Sequence, residues 1–143
     1  NAWGWDGCIR VKYGTRSDET GGPVNELNYG TNLRLIRYAD VLLMAAEANH
    51  RAGNNGKATD YLNQVRERAK LEPFSGSDIF TAIKNERRVE LCFEGVRFLD
   101  LIRWGEAAAQ LGSKGFIAGK HEHYPIPQDE IRNNSAATQN QGY

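Results

Sequence analysis

Leu35-Ile-Arg-Tyr-Ala-Asp-Val-Leu-Leu-Met-Ala-Ala-Glu-Ala-Asn49 is the stretch that decides the fold. Leu35, Ala39, Leu42, Ala46 and Asn49 recur at steps of four and three, and Ile36 and Leu43 widen the stripe. That is the period of a helix with one broad apolar face, predicted here over residues 33–52. Thr31 or Asn32 can cap its start, and Gly53 can close it in a left-handed conformation. After Asn54-Asn55-Gly56 a second stripe begins, Ala58, Tyr61, Leu62, Val65 and Ala69, which Glu72-Pro73 is expected to end. Two helices joined by so short a turn must run antiparallel as a hairpin. Ala46, Gly53 and Ala58 occupy the small-residue positions of a tetratricopeptide repeat, although Leu42 and Asn49 stand where that repeat carries large aromatics. A lone repeat cannot bury both faces of its layer, so neighbours are required.

Downstream, Ile79, Ile83, Val89, Cys92, Phe93 and Val96 predict the inward face of a third helix from about Asp78 to Glu94, broken by Gly95. Phe98 to Trp104 is a dense apolar turn, and Glu106–Leu111 a short helix. Residues 113–143 read as a coil tail, with Tyr124-Pro-Ile-Pro127 extended because a residue preceding proline is pushed out of the helical region. Upstream, residues 1–30 are punctuated by glycines and read as loop, apart from one short alternation, Ile9-Arg-Val-Lys-Tyr13. The fold class is therefore mainly α: tetratricopeptide-like helical hairpins over residues 31–112 between long irregular N- and C-terminal segments.

The chain has 143 residues, with 18 Lys plus Arg against 18 Asp plus Glu. Zero net charge argues against a nucleic-acid binder, which carries a basic excess or stripe. It argues equally against attachment to anionic lipid through the folded surface. The longest apolar run, Val41–Ala46, is far short of the roughly 20 residues of a spanning helix. Cys8 and Cys92 lack the spacing of a zinc site or a disulfide framework, and Cys92 reads as a small buried hydrophobe. His121-Glu-His123, if extended, places two imidazoles on one side, but no third ligand is near in sequence and no metal or cofactor is expected.

Charge is concentrated between residues 84 and 103. Glu86, Glu90 and Glu94 share a helical face, which invites a hydrolase reading. An acid–base pair, however, needs environments that push two pKa values apart. Here arginines interleave the carboxylates, Arg87 with Glu90 and Glu94 with Arg97, and a neighbouring guanidinium holds a carboxylate as an acceptor. Arg87, Glu90, Glu94, Arg97, Asp100 and Arg103 are accordingly read as a structural ion-pair network, and Glu94→Gln is expected to lower the melting temperature. No Gly-rich phosphate loop and no Gly-x-Ser-x-Gly turn is present. Ligand contact is placed instead on Trp3, Trp5, Asp6 and Tyr13, where rings on loops beside polar groups suit a sugar. The competing reading is that Trp3 and Trp5, two residues apart, form a core pair.

Five strings carry a resemblance. They are Ile36–Ala48; Ala58-Thr-Asp-Tyr-Leu-Asn-Gln-Val-Arg-Glu-Arg-Ala69; Glu86-Arg-Arg-Val-Glu-Leu-Cys-Phe-Glu-Gly-Val-Arg-Phe-Leu-Asp-Leu-Ile-Arg-Trp104; Tyr124-Pro-Ile-Pro127; and Thr138-Gln-Asn-Gln-Gly-Tyr143. In this order and spacing they resemble the C-terminal part of the SusD/RagB family, outer-membrane nutrient-binding lipoproteins of Bacteroidetes. The resemblance implies a single C-terminal region over 1–143 of a longer parent, on a tetratricopeptide scaffold. It implies non-catalytic capture of a glycan or oligosaccharide at the cell surface, with a SusC-like TonB-dependent transporter as partner. It also implies a lipid anchor outside this chain, since Cys8 follows no hydrophobic signal. The alternative is a helical scaffold that docks on the transporter and touches no sugar. Either way the apolar stripe of residues 35–46 is expected to promote self-association.

Overall fold

The computed structural model describes Lys12 and residues 34–143. The expectations placed on Trp3, Trp5, Asp6, Cys8 and Tyr13, on the Ile9–Tyr13 alternation and on the caps Thr31 and Asn32 lie outside the described residues. Six α-helices are present among the described residues, with no strand: α1 Tyr38–Arg51, α2 Asn55–Arg68, α3 Ile79–Glu90, α4 Arg97–Arg103, α5 Ala107–Leu111 and α6 Gln128–Asn133. A 3₁₀ turn, Gly112–Lys114, follows α5. None of these helices is long and apolar enough to cross a membrane. The chain divides into two compact units, one ending at Phe93 and the other running Glu94–Tyr143.

In the first unit α1 and α2 form the hairpin. Ala46 and Ala58 are both fully buried, so the small side chains sit where the helices approach most closely, and Leu43, Leu62 and Val65 fill the seam. Each such side chain contributes about 1.5–3 kcal/mol by leaving water. The turn is a Schellman cap: Asn54 N–H donates to Asn49 O at 2.8 Å and Gly53 N–H to His50 O at 2.9 Å. Gly53 has φ +82°, a conformation that disfavours any side chain. Helix α1 begins later than its stripe predicts. Arg37 is extended at the N-cap, and Leu35 and Ile36 lie ahead of the helix and exposed.

Helix α2 also ends differently, before Glu72-Pro73. A second Schellman cap closes it, with Leu71 N–H on Arg66 O and Lys70 N–H on Glu67 O, and Lys70 takes the left-handed position at φ +57°. Ala69 is consequently exposed. The following loop is tied back to α2 by Phe74 N–H donating to Asn63 Oδ1 at 2.7 Å.

Helix α3 begins where Asp78 Oδ1 accepts from Thr81 N–H at 3.0 Å. It stops at Glu90, four residues short of the expected end, because Phe93 turns left-handed (φ +64°) ahead of Gly95. The inward face also differs from the expected one. Ile83, Glu86 and Arg87 are buried, whereas Val89 and Phe93 are 72% and 68% exposed and Cys92 is an exposed thiol rather than a core residue. At its start, α3 sets Phe80 against the end of α1: the His50 ring stacks on it at 5.6 Å, and Arg51 and Lys84 each place a cation 4.9 Å from its centroid.

In the second unit the apolar turn after Val96 is a helix, α4, which buries Leu101 and Asp100 and ends in a third Schellman cap at Gly105, φ +71°. The tail is not all coil. Pro127 is extended, as expected of the Tyr124–Pro127 segment, and α6 follows it at once with Asp129 and Glu130 in its first turn, where acidic groups complement the helix dipole. Gln139 clamps the extended segment like a missing strand: its Oε1 accepts from Ile126 N–H and its Nε2 donates to Ile126 O, both at 2.8 Å. His121 and His123 lie in turns closed by His121 N–H to Ile117 O and His123 N–H to Lys120 O, so they do not share one side of an extended segment.

Candidate functional site

Three helices meet around the charged face of α3. Glu90 accepts from Arg37 of the α1 approach at 2.7 Å and from Arg68 of α2 at 2.5 Å. Its backbone carbonyl accepts from Arg37 at 3.0 Å and from Lys12 Nζ at 2.5 Å. One turn earlier, Glu86 Oε2 takes Arg66 Nη1 at 2.9 Å, while the same guanidinium donates through Nε to Glu72 O. Arg87, 4% exposed, reaches Asp40 of α1 at 2.8 Å. The Arg87–Asp40 and Arg68–Glu90 bonds thus run between helices. Buried carboxylates engaged in this way orient the helices; the strength of each pair is offset by the cost of drying its charges.

Residues 94–103 belong to the other unit. Asp100, 3% exposed, accepts from Arg103 at 2.9 Å, and the Trp104 ring has Arg103 at 4.7 Å and Arg97 at 5.8 Å. Glu94 is half-buried just before that helix. The structure therefore places Arg87 and Glu90 in one unit and Glu94, Arg97, Asp100 and Arg103 in the other.

Clefts occur in both units. A groove of about 810 Å³ runs along the hairpin, floored by Leu42 and Val65 and walled by Ile36, Tyr38, Arg37 and Arg68. Another of about 420 Å³ lies between α2 and α3, and its two carboxylates are already occupied: Asp78 caps α3 and Glu86 holds Arg66. Asp78 titrates below the usual carboxylate range because the Thr81 backbone N–H bonds its charged form. That shift marks a helix cap and not a proton-transfer group. In the second unit a pocket of about 420 Å³ is lined by the rings of Phe98, Phe116, Tyr124 and Tyr143 together with Lys114 and the two histidines of the turn. Sequence reasoning missed this pocket. Its signals were Phe116, His121 and Tyr124 at close spacing, which a coil reading of the tail passed over. No group of three or more His, Cys, Asp or Glu side chains among the described residues could hold a metal ion.

Comparison with known proteins places this architecture. The SusD family model matches residues 3–123. The starch-binding protein SusD of Bacteroides thetaiotaomicron is 34% identical over 151 aligned positions, covering 96% of this chain and 26% of that protein. A laminarin-binding SusD-like protein of known structure superposes with TM-score 0.76 at 43% identity, covering 90% of this chain and 27% of that one. The surface glycan-binding protein A of Bacteroides thetaiotaomicron gives 0.68 at 37% identity over 82% of this chain and 26% of its own. The chain spans about a quarter of the length of the relatives it matches. With its family model, its relatives and its helical architecture in agreement, the chain belongs to the SusD family.

Proposed function

We propose that this chain is part of a protein that captures a glycan at the bacterial outer membrane, does no chemistry on it, and passes it to a SusC-like TonB-dependent transporter. The observation that carries the reading is the likeness, in both sequence and structure, to a relative described as laminarin-binding, beside others named for starch and surface glycans. A glucan is therefore the first ligand to try. The absence of catalysis is supported by the carboxylates themselves. Glycoside hydrolysis needs two carboxyl groups flanking an open cleft, one of them free to donate a proton. In the α2–α3 cleft Asp78 and Glu86 are both committed to structural partners.

In this reading the helices are a platform, and sugar contact comes from Trp3, Trp5, Asp6 and Tyr13. A flat ring stacks on the C–H face of a pyranose, and Asp6 accepts from its hydroxyls. The test is affinity electrophoresis of the intact protein in laminarin, starch and other polysaccharides. Retention in a glucan gel, lost on Trp3→Ala, Trp5→Ala or Tyr13→Ala, is the expected result. Release of shortened oligosaccharides on incubation would overturn the non-catalytic reading.

A second reading, a helical scaffold docked on the transporter with no sugar contact from this region, is favoured by the hairpin groove and the exposed Ile36 and Tyr38 that line it. Retention unchanged in all three aromatic variants would select it.

A further inference from the structure

We infer that the pocket of the second unit is a sugar site of its own, built for a sugar residue that carries a negative charge. Its walls are braced by contacts among its own side chains. Phe98 and Phe116 meet edge to face at 6.2 Å, and Phe116 meets His121 in the same way at 5.6 Å. Tyr143 donates its hydroxyl to His123 O at 3.0 Å, and Lys120 Nζ sits 4.6 Å above the Tyr143 ring. Tyr124 lies in the extended segment that Gln139 clamps, and Asn140 Nδ2 bonds its carbonyl at 2.7 Å. Tyr124 is nevertheless 75% exposed. An open ring on a braced backbone offers a stacking face at little ordering cost.

The polar groups of the lining decide the class of ligand. The hydroxyls of a neutral sugar both donate and accept, so a site shaped for one offers side-chain acceptors as well as donors. No Asp, Glu, Asn or Gln lines this pocket; its non-aromatic polar side chain is Lys114, beside the two imidazoles. Ile117 N–H donates to His121 Nδ1 at 2.9 Å, so the neutral ring must carry its proton on Nε2. Lys114 thus supplies positive charge and His121 a neutral Nε2–H donor, with no Asp or Glu side chain in the lining to compete for them. That arrangement matches a carboxylate or sulfate group on a sugar whose ring lies on Tyr124. The assignment is independent of Trp3, Trp5 and Tyr13 and of any neutral glucan they hold.

Isothermal titration of the intact protein tests it, using a glucuronate-containing oligosaccharide, a sulfated oligosaccharide and a neutral laminari-oligosaccharide. Lys114→Gln and Tyr124→Ala alter exposed side chains, so circular dichroism should match the parent. Expected is binding of at least one acidic oligosaccharide that weakens roughly tenfold or more in either variant and falls with added salt. Binding of the neutral glucan should be unmoved by both changes. Response to the carboxylated or the sulfated probe identifies the acidic group. The inference is overturned if neither acidic probe binds, or if both variants bind as the parent does. It is overturned equally if Trp3→Ala abolishes acidic-sugar binding while Lys114→Gln leaves it intact. Loss of neutral-glucan binding on Trp3→Ala alone bears on the proposed function and not on this pocket.

Discussion

Single residues in this molecule divide between those that pack and those that orient. Arg87 does the second. Its guanidinium is buried and meets Asp40 of α1, so removing it strands a partly buried carboxylate. Arg87→Met keeps most of the apolar stem and should still cost about 3 kcal/mol in urea unfolding. Adding Asp40→Asn should recover part of that loss, and a cycle with no coupling energy would show that the pair does not act as a pair. Lys70 is the opposite case, a residue in a conformation that suits another. At φ +57° it fills a Schellman position that glycine prefers, so Lys70→Gly should raise stability by about 0.5–1 kcal/mol, with Lys70→Ala near neutral as the control. Neither role is visible in composition. The spacing announced the cap at Gly53, because glycine there stands just past an apolar stripe. A lysine in the same geometry after α2 carries no such mark, and Glu72-Pro73 drew the boundary too far along.

Among the elements, α1 and α2 were legible and α3 was legible only in part. The hairpin is held by apolar stripes and small residues, and counting apolar residues finds those. The inward face of α3 instead runs Ile79, Ile83, Glu86, Arg87, Glu90, three of them charged and the middle three buried, since its partners are Arg37, Arg66, Arg68 and Asp40. An apolar count therefore moved the stripe onto Val89, Cys92 and Phe93, which face solvent. The phase was still present in the residues: 79, 83, 86 and 90 step by four, three and four, and only the chemistry at those positions misled. The start of α3 makes its own prediction. Asp78→Ala removes the acceptor for Thr81 N–H and should lower the melting temperature. Because folding lowers the pKa of Asp78, its contribution is present above the unfolded-state value and is lost as pH falls through the folded one. The melting-temperature gap between parent and Asp78→Ala should accordingly be widest near neutral pH and close in acid; a gap independent of pH would mean that charge plays no part in the cap.

For the whole molecule, what the sequence left unread is what depends on surroundings. Trp3, Trp5, Asp6 and Tyr13 were singled out by residue type alone, and nothing in a period ties them to a helix. The stripe of residues 35–46, by contrast, was assigned to one face, and the structure divides it. Leu42, Leu43 and Ala46 turn into the hairpin, while Leu35, Ile36 and Tyr38 are 86%, 78% and 72% exposed and Met44 is 48% exposed. Ile36 and Tyr38 line the 810 Å³ groove together with Leu42 and Val65, so exposed apolar side chains of the α1 approach adjoin the hairpin. Contiguous apolar surface of this kind is costly to leave in water and is relieved by association. The 143-residue chain taken alone should therefore sediment above its monomer mass at tens of micromolar and shift toward monomer on dilution. Ile36→Lys with Tyr38→Glu changes two exposed side chains, so it should abolish the shift while leaving the far-ultraviolet spectrum and the melting temperature within error of the parent. A parent chain that sediments as a monomer throughout that range would show that the surface is tolerated in water. Association that persists in the double variant would place the contact elsewhere, with exposed Val89 and Phe93 around the end of α3 as the next pair to change.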